Sequence, residues 1–222
     1  MTDQTSLSVT APPSLDPALA AALAALPTPV IGDCLERLSG PVGLRRYSSA
    51  AKLVGIARTV KTRPGDNLAL YRMIVRLRPG DVLVVDGGGD VTNALMGELM
   101  TLEAKRRGCA GLLIDGAIRD VGEIADIDLP TYARGHSLRG PYKSHPGFLD
   151  VTVAIGGQVI TAGDVVVGDA DGVVTFPAAR AAEIVALAGE KFEREEGIRR
   201  SILSGEDTGW VEAMLADLGQ AE

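Results

Sequence analysis

GELMTLEAKRRGCAGLLIDGAIRD, residues 97–120, reads as a helix, a turn, a strand and then a loop carrying two opposite charges. Leu95, Met96, Leu99, Leu102 and Ala104 recur at helical spacing. Lys105, Arg106 and Arg107 suit a helix C-terminus and Gly108 a helix stop. Gly111–Ile114 is a β-branched and leucine run that suits a buried strand, as does Asp81–Val85 before it, which Asp86-Gly-Gly-Gly-Asp90 ends as a loop. This unit therefore predicts an α/β fold in which two loops, one ahead of Glu98 and one bearing Arg119-Asp120, leave the C-terminal ends of neighbouring strands, where open α/β sheets bind ligands. Gly97 leaves room for a ligand to approach the amides of Glu98, Leu99 and Met100, donors with no partner inside the helix. A small carboxylate fits there.

The same residues admit plainer roles. Asp120 with Glu123 forms a capping-box pattern for a short helix from about Val121 to Ile127, and Arg119 then becomes a solvated charge. Glu98 in a first helical turn suits the helix dipole, and Asp115 at a strand end suits a turn. Val85-Asp86-Gly-Gly-Gly89 before a helix, with Asp115 after the next strand, imitates a dinucleotide or S-adenosylmethionine fold. Thr92, however, stands where that motif wants a third glycine. Downstream, Val151–Ile155, Val159–Ile160, Asp164–Val167 and Gly172–Phe176 read as successive short strands, where a doubly wound fold needs strand-helix alternation.

Outside this unit, the 222 residues and 46% hydrophobic content suffice for one core, expected over residues 15–222, behind a mobile polar tail at 1–14. A net charge of -7 argues against nucleic-acid binding, which needs a basic face. Cys34 and Cys109 are too few for a disulfide framework and point to a reducing cytoplasm. His136 and His145 alone make a histidine-rich zinc site an unsuitable reading, whereas a hard, oxygen-liganded Mg²⁺ or Mn²⁺ stays open. Ala18–Leu26 reads as a helix too short to span a membrane. A second helix runs through Leu38 with Thr28 as N-cap and Pro29 at its first position. Leu53–Lys61 reads as a strand, Asn67–Leu77 as a helix and Tyr132–Pro146 as an irregular loop. Ala178–Arg200 and Thr208–Leu218 read as charged C-terminal helices from about residue 178.

The ordered combination of DGGGD at 86–90, GELM at 97–100, Glu98-x20-Arg119-Asp120 and GDVVVGDADGVVTFP at 163–177 closely resembles the RraA-like family, roughly over Thr28 to Phe176. That family includes divalent-metal 4-hydroxy-4-methyl-2-oxoglutarate/4-carboxy-4-hydroxy-2-oxoadipate aldolases. The resemblance implies a compact α/β/β/α sandwich with helical N- and C-terminal extensions, assembled as a homotrimer or hexamer with clefts between subunits. It makes Asp120 the protein ligand of Mg²⁺ or Mn²⁺ and sets Arg119 on the keto oxygen of a 2-keto-acid substrate. Gly97, Glu98, Leu99 and Met100 would hold the substrate carboxylate. Glu98 stands where aldolase members often have aspartate, and a glutamate from the neighbouring subunit's C-terminal helix, Glu195 or Glu196, would complete the site. Cleavage would leave a pyruvate enolate, and oxaloacetate decarboxylation through the same enolate is implied as a second activity. Arg134, His136, Arg139 and Lys143 are candidates for a distal carboxylate or for plain solvent-facing charges. The alternative function within the family is non-catalytic binding of an endoribonuclease.

Overall fold

The computed structural model describes residues 14–37, 39–50 and 52–219; the tail expected at 1–14 lies almost wholly outside them, as does Leu38. Helix α1 (Pro17–Ala25) starts at Asp16, whose carboxylate accepts from the amides of Ala18 and Leu19. Helix α2 (Thr28–Asp33) is shorter than expected, and Thr28 is its first residue rather than its cap. The Thr28 hydroxyl and amide both donate to Asp169, at 2.5 and 2.8 Å, and Lys52 Nζ adds an ion pair at 3.0 Å. Asp169 is thus the anion at the α2 N-terminus, and the GDADG turn works as a clamp between distant parts of the chain.

Strand β1 (Arg45–Arg46) precedes β2 (Leu53–Lys61), which lies where the sequence puts it. Helix α3 (Leu68–Ile74) leads to β3 (Asp81–Asp86), a strand buried along its whole length. Next come β4 (Ala94–Met96), α4 (Glu98–Arg106), β5 (Gly111–Ile118), α5 (Val121–Asp126) and β6 (Thr131–His136). Two of these correct the sequence reading. Leu95 and Met96 are strand residues, fully or almost fully buried beside β5, so the helix begins only at Glu98. Thr131–His136 is a parallel strand, not a loop; its Arg, Gly and His disguise it. The short strands β7 (Phe148–Leu149), β8 (Val153–Ile155), β9 (Gln158–Ile160), β10 (Val165–Gly168) and β11 (Val173–Phe176) follow, then α6 (Ala181–Ser204) and α7 (Trp210–Asp217).

The main sheet runs β1-β6-β5-β3-β2-β10-β11. Its centre, β6-β5-β3-β2, is parallel, and β10 and β11 continue it antiparallel. The sheet curls on itself: Tyr132 Oη, on β6, donates to the carbonyl of Asp169 after β10 at 2.7 Å, across three intervening strands of the sheet order. Alternation along the strands then gives two faces. Leu53, Ala57, Val82, Val84, Leu113 and Val166 point into the curl, where the β8–β9 hairpin adds Val153, Ile155 and Ile160. On the outer face, Leu83, Val85, Leu112 and Ile114 pack under α3, α4 and α5, while Ile56, Val165 and Val167 pack under α1, α2 and α6. Helix, sheet, sheet and helix therefore stack as the α/β/β/α sandwich. Among the described residues no helix is long and apolar enough to cross a membrane.

Candidate functional site

The C-terminal ends of β4 and β5 place Gly97 and Arg119-Asp120 side by side, since the two strands pair in parallel and the Arg119 amide donates to the Met96 carbonyl at 2.9 Å. Asp120 has φ 57° and ψ 43°, a left-handed conformation that a non-glycine residue holds at a cost of about 1 kcal/mol or more. This turn aims its carboxylate away from α5. Asp120 makes no side-chain cap to the helix it precedes, so the capping-box reading is overturned. Its Oδ2 instead accepts the Glu98 amide at 3.1 Å, capping α4 across the gap between strands. Gly97 is what admits it: a Cβ there would collide with Asp120 Oδ2 and stand 3.1 Å from Arg119 Cγ.

Three sets of hydrogen-bonding capacity are left over beside one another. Among the described residues Asp120 Oδ1 has no hydrogen-bond partner. Arg119 Nε lies 3.7 Å from Asp120 Oδ2, too far for a hydrogen bond, and with both side chains more than 40% exposed the pair is worth under about 1 kcal/mol. Among the described residues no hydrogen bond engages the guanidinium donors. The amides of Leu99 and Met100, in the first turn of α4, lie beyond reach of any carbonyl of their own helix.

Arg119, Asp120, Gly97, Leu99 and Met100 all line one cleft with an empty volume of about 460 Å³, closed by Asn67, Tyr71, Pro141 and Lys143. A second, shallower cleft on the other side of the Arg119-Asp120 pair is lined by Val121, His136, Ser137 and Leu138. His136 stands 3.3 Å from Tyr47 Oη through its Nδ1. The Glu98 amide is spent on Asp120, and Glu98 is not among the lining residues of either cleft. Glu195 and Glu196 stand on α6, in the opposite helical layer, where Glu195 pairs with Lys191 at 2.8 Å and Glu196 with Arg199 at 3.6 Å. Within one chain they are not brought to the cleft.

Asp115 is occupied elsewhere. Its carboxylate, 6% exposed, takes the Arg134 guanidinium at 2.5 and 2.8 Å, and its carbonyl accepts the amides of Gly87 and Gly89. That removes both Asp115 as a ribose-holding residue and Arg134 as a free cation. It leaves the DGGGD loop pinned to the end of β5. Arg139 contributes its carbonyl to the Ala94 amide and does not line the cleft. The sequence reading did not single out Asn67 and Tyr71, which lie 30 and 26 residues ahead of Gly97 and reach the cleft through the packing of α3 on α4, or Pro141, 21 residues past Asp120.

The donor set fits a hard divalent cation. A half-exposed carboxylate with one oxygen unengaged supplies a single charged ligand, and the open cleft leaves the other positions to water or substrate oxygens, as Mg²⁺ prefers. Among the described residues no cluster of three or more His, Cys, Asp or Glu side chains offers a protein-caged site instead.

The chain is similar to known proteins over most of its length. A family profile described as RraA-like, Aldolase/RraA, matches residues 28–175. A protein of Halalkalibacterium halodurans named "Putative 4-hydroxy-4-methyl-2-oxoglutarate aldolase" is 35% identical over 178 residues, 80% of this chain and 85% of its own. An uncharacterized protein from Pseudomonas syringae pv. tomato superposes with a TM-score of 0.77 at 27% identity, covering 89% of this chain and 97% of its own. Streptomyces coelicolor RraAS2, described as an unusual member of the RNase ES inhibitor RraA protein family, superposes with a TM-score of 0.76 at 31% identity. It covers 86% of this chain and 98% of its own.

Proposed function

The chain belongs to the RraA-like family, and on that premise we propose that it is a divalent-metal-dependent aldolase that releases pyruvate from 4-hydroxy-4-methyl-2-oxoglutarate-type substrates and also decarboxylates oxaloacetate. The observation that carries this reading is the convergence, on one cleft wall, of an unengaged carboxylate oxygen, an uncommitted guanidinium and two free helix-start amides. The amides of Leu99 and Met100 receive the ligand's carboxylate. Arg119 then faces the adjoining keto oxygen. Breaking the C3–C4 bond leaves its electron pair on the pyruvyl fragment, so negative charge grows on that oxygen, and a planar guanidinium with free donors stabilises it more in the transition state than in the ground state. Asp120 would hold Mg²⁺ or Mn²⁺, which would supply Lewis acidity for the developing enolate charge and would lower the pKa of bound water.

The proton of the C4 hydroxyl must also leave. Glu98, at the start of α4 but lining neither cleft within one chain, is the candidate base in cis, and Glu195 or Glu196 of a neighbouring copy is the candidate in trans. The trans arrangement rests on a homotrimer or hexamer, as family membership suggests. The likeness to the Streptomyces protein supports a second reading, in which this surface binds an endoribonuclease without turnover.

One experiment separates the two. Pyruvate release is followed from racemic 4-hydroxy-4-methyl-2-oxoglutarate and from oxaloacetate, with Mg²⁺ or EDTA, for wild type and Asp120→Ala. Aldol turnover lost with EDTA and with Asp120→Ala supports the aldolase. Oxaloacetate turnover alone narrows the protein to a decarboxylase, and no turnover by an intact, metal-binding protein favours the regulator.

A further inference from the structure

Next to Asn67, which lines the cleft with Lys143, stands a buried carboxylate that the proposed reaction does not use. Asp66 is fully buried, and among the described residues no basic side chain pairs with it. Its Oδ1 accepts the Leu68 amide at 3.1 Å at the start of α3. Its Oδ2 accepts the amide and hydroxyl of Ser144, at 2.9 and 2.8 Å, and the His145 amide at 2.9 Å. Burial alone would raise the Asp66 pKa, but these donors outweigh it and hold it at about 2.

The bonds tie a segment that is otherwise outside regular structure. The Tyr142 amide donates to the Gly65 carbonyl and the Asn67 amide to the Tyr142 carbonyl, so residues 142–145 are strapped along the turn before α3. Lys143 sits in the middle of this strap. It lines the cleft and has no carboxylate partner among the described residues, its Nζ lying 6.0 Å from the centre of the Tyr71 ring. Asn67, next to Asp66 and also lining the cleft, is fixed by its Nδ2 donating to the Leu95 carbonyl at 3.0 Å, and among the described residues its buried Oδ1 has no partner. A buried acceptor left over in this way marks a wall shaped for something beyond the fold.

We propose that Asp66 is a positioning residue for ligand selectivity: by strapping Ser144 and His145 it holds Lys143 at the cleft, where the ammonium reads a second carboxylate on a keto acid seated at Arg119. This rests on the reading of the cleft as a keto-acid site. Monocarboxylates such as pyruvate use only the Arg119 wall, whereas dicarboxylates use Lys143 as well.

The test is calorimetric titration of the full chain, with Mg²⁺ present, using pyruvate and 2-oxoglutarate. Wild type binds 2-oxoglutarate tighter than pyruvate by on the order of tenfold, the usual scale of one charged contact. Lys143→Met abolishes that ratio and leaves pyruvate affinity within about twofold. Asp66→Asn lowers the same ratio, and adds nothing to Lys143→Met in the double variant, as expected of groups acting through one another. Ser144→Ala, which removes one bond from the strap, carries the test if Asp66→Asn does not fold. The proposal is overturned if wild type shows no preference, if the preference survives Lys143→Met, or if Asp66→Asn and Ser144→Ala weaken pyruvate equally. Loss of the aldolase reading looks different: the preference for 2-oxoglutarate persists while no aldol is cleaved.

Discussion

Gly97→Ala isolates the site from the fold. Gly97 has φ -140° and ψ -171°, extended backbone open to any residue, so alanine brings no conformational strain. Its Cβ, however, would run into Asp120 Oδ2, and the carboxylate must retreat by roughly 1 Å to reach ordinary van der Waals separation. That breaks the 3.1 Å bond from the Glu98 amide, a charge-assisted bond worth about 1.5–3 kcal/mol. Reduced chain entropy in the unfolded state returns roughly 0.4–1 kcal/mol. A net loss of about 1–2 kcal/mol follows, or roughly 2–8 °C in Tm for a domain of this size. The effect on turnover is larger, since a displacement of about 1 Å at a reacting centre costs on the order of a hundredfold. Gly122→Ala in α5 is the control: its Cβ meets nothing within 4 Å, and it stabilises by about 0.5–1 kcal/mol without touching activity. Thermal melts, Mg²⁺ titration and metal-dependent pyruvate release measure all three effects. Unchanged Mg²⁺ affinity and turnover in a folded Gly97→Ala protein would refute the placement of Asp120 as the metal ligand.

Two further outcomes are expected. Arg134→Met leaves the Asp115 carboxylate buried without a counter-ion and destabilises by about 3–5 kcal/mol in urea unfolding; a loss below about 1 kcal/mol would show that the pair does not pin the DGGGD loop. Asp66 has a folded-state pKa held at about 2, below its unfolded value, so its contribution is complete above about pH 4 and disappears as pH falls through 2. That contribution is about 2 kcal/mol, and Asp66→Asn should flatten the acid limb of the stability curve by that amount; an unaltered limb would count against the strap.

Elements with a strong pattern were legible in the sequence. Leu53–Lys61 is a strand end to end, and Asp81–Val85 falls one residue short of β3. The short strands after Val151 and both C-terminal helices appear within a few residues of their expected limits. The failures share a cause, since each is a place where a tertiary partner decides the local structure. Leu95 and Met96 have the spacing of a helical face, but β5 offers them a strand edge. Tyr132–His136 carries a charged residue that only its bond to Asp115 makes compatible with a buried strand. Thr28 looks like a cap until Asp169, far along the chain, takes its hydroxyl. The GELM and Arg119-Asp120 segments of the candidate site were likewise legible because each is a short motif on one α/β unit. Elsewhere along the cleft, Lys143 stood out in the sequence only as one of four basic candidates, and Asp66 and Asn67, adjacent to each other but far ahead of it in the chain, have no spacing that ties them to it.

Asp120 divides its two carboxylate oxygens, one closing the start of α4 and the other without a partner among the described residues. The consequence concerns what its presence in a chain can testify to. A descendant that abandoned chemistry and kept only a binding surface would still be held to this aspartate by the helix it caps, and to Gly97 by the room that cap requires. Retention of the pair is thus a record of the backbone, and on the proposed aldolase reading a lineage's loss of activity will be written first in residues with no such second employment, Arg119 foremost among them.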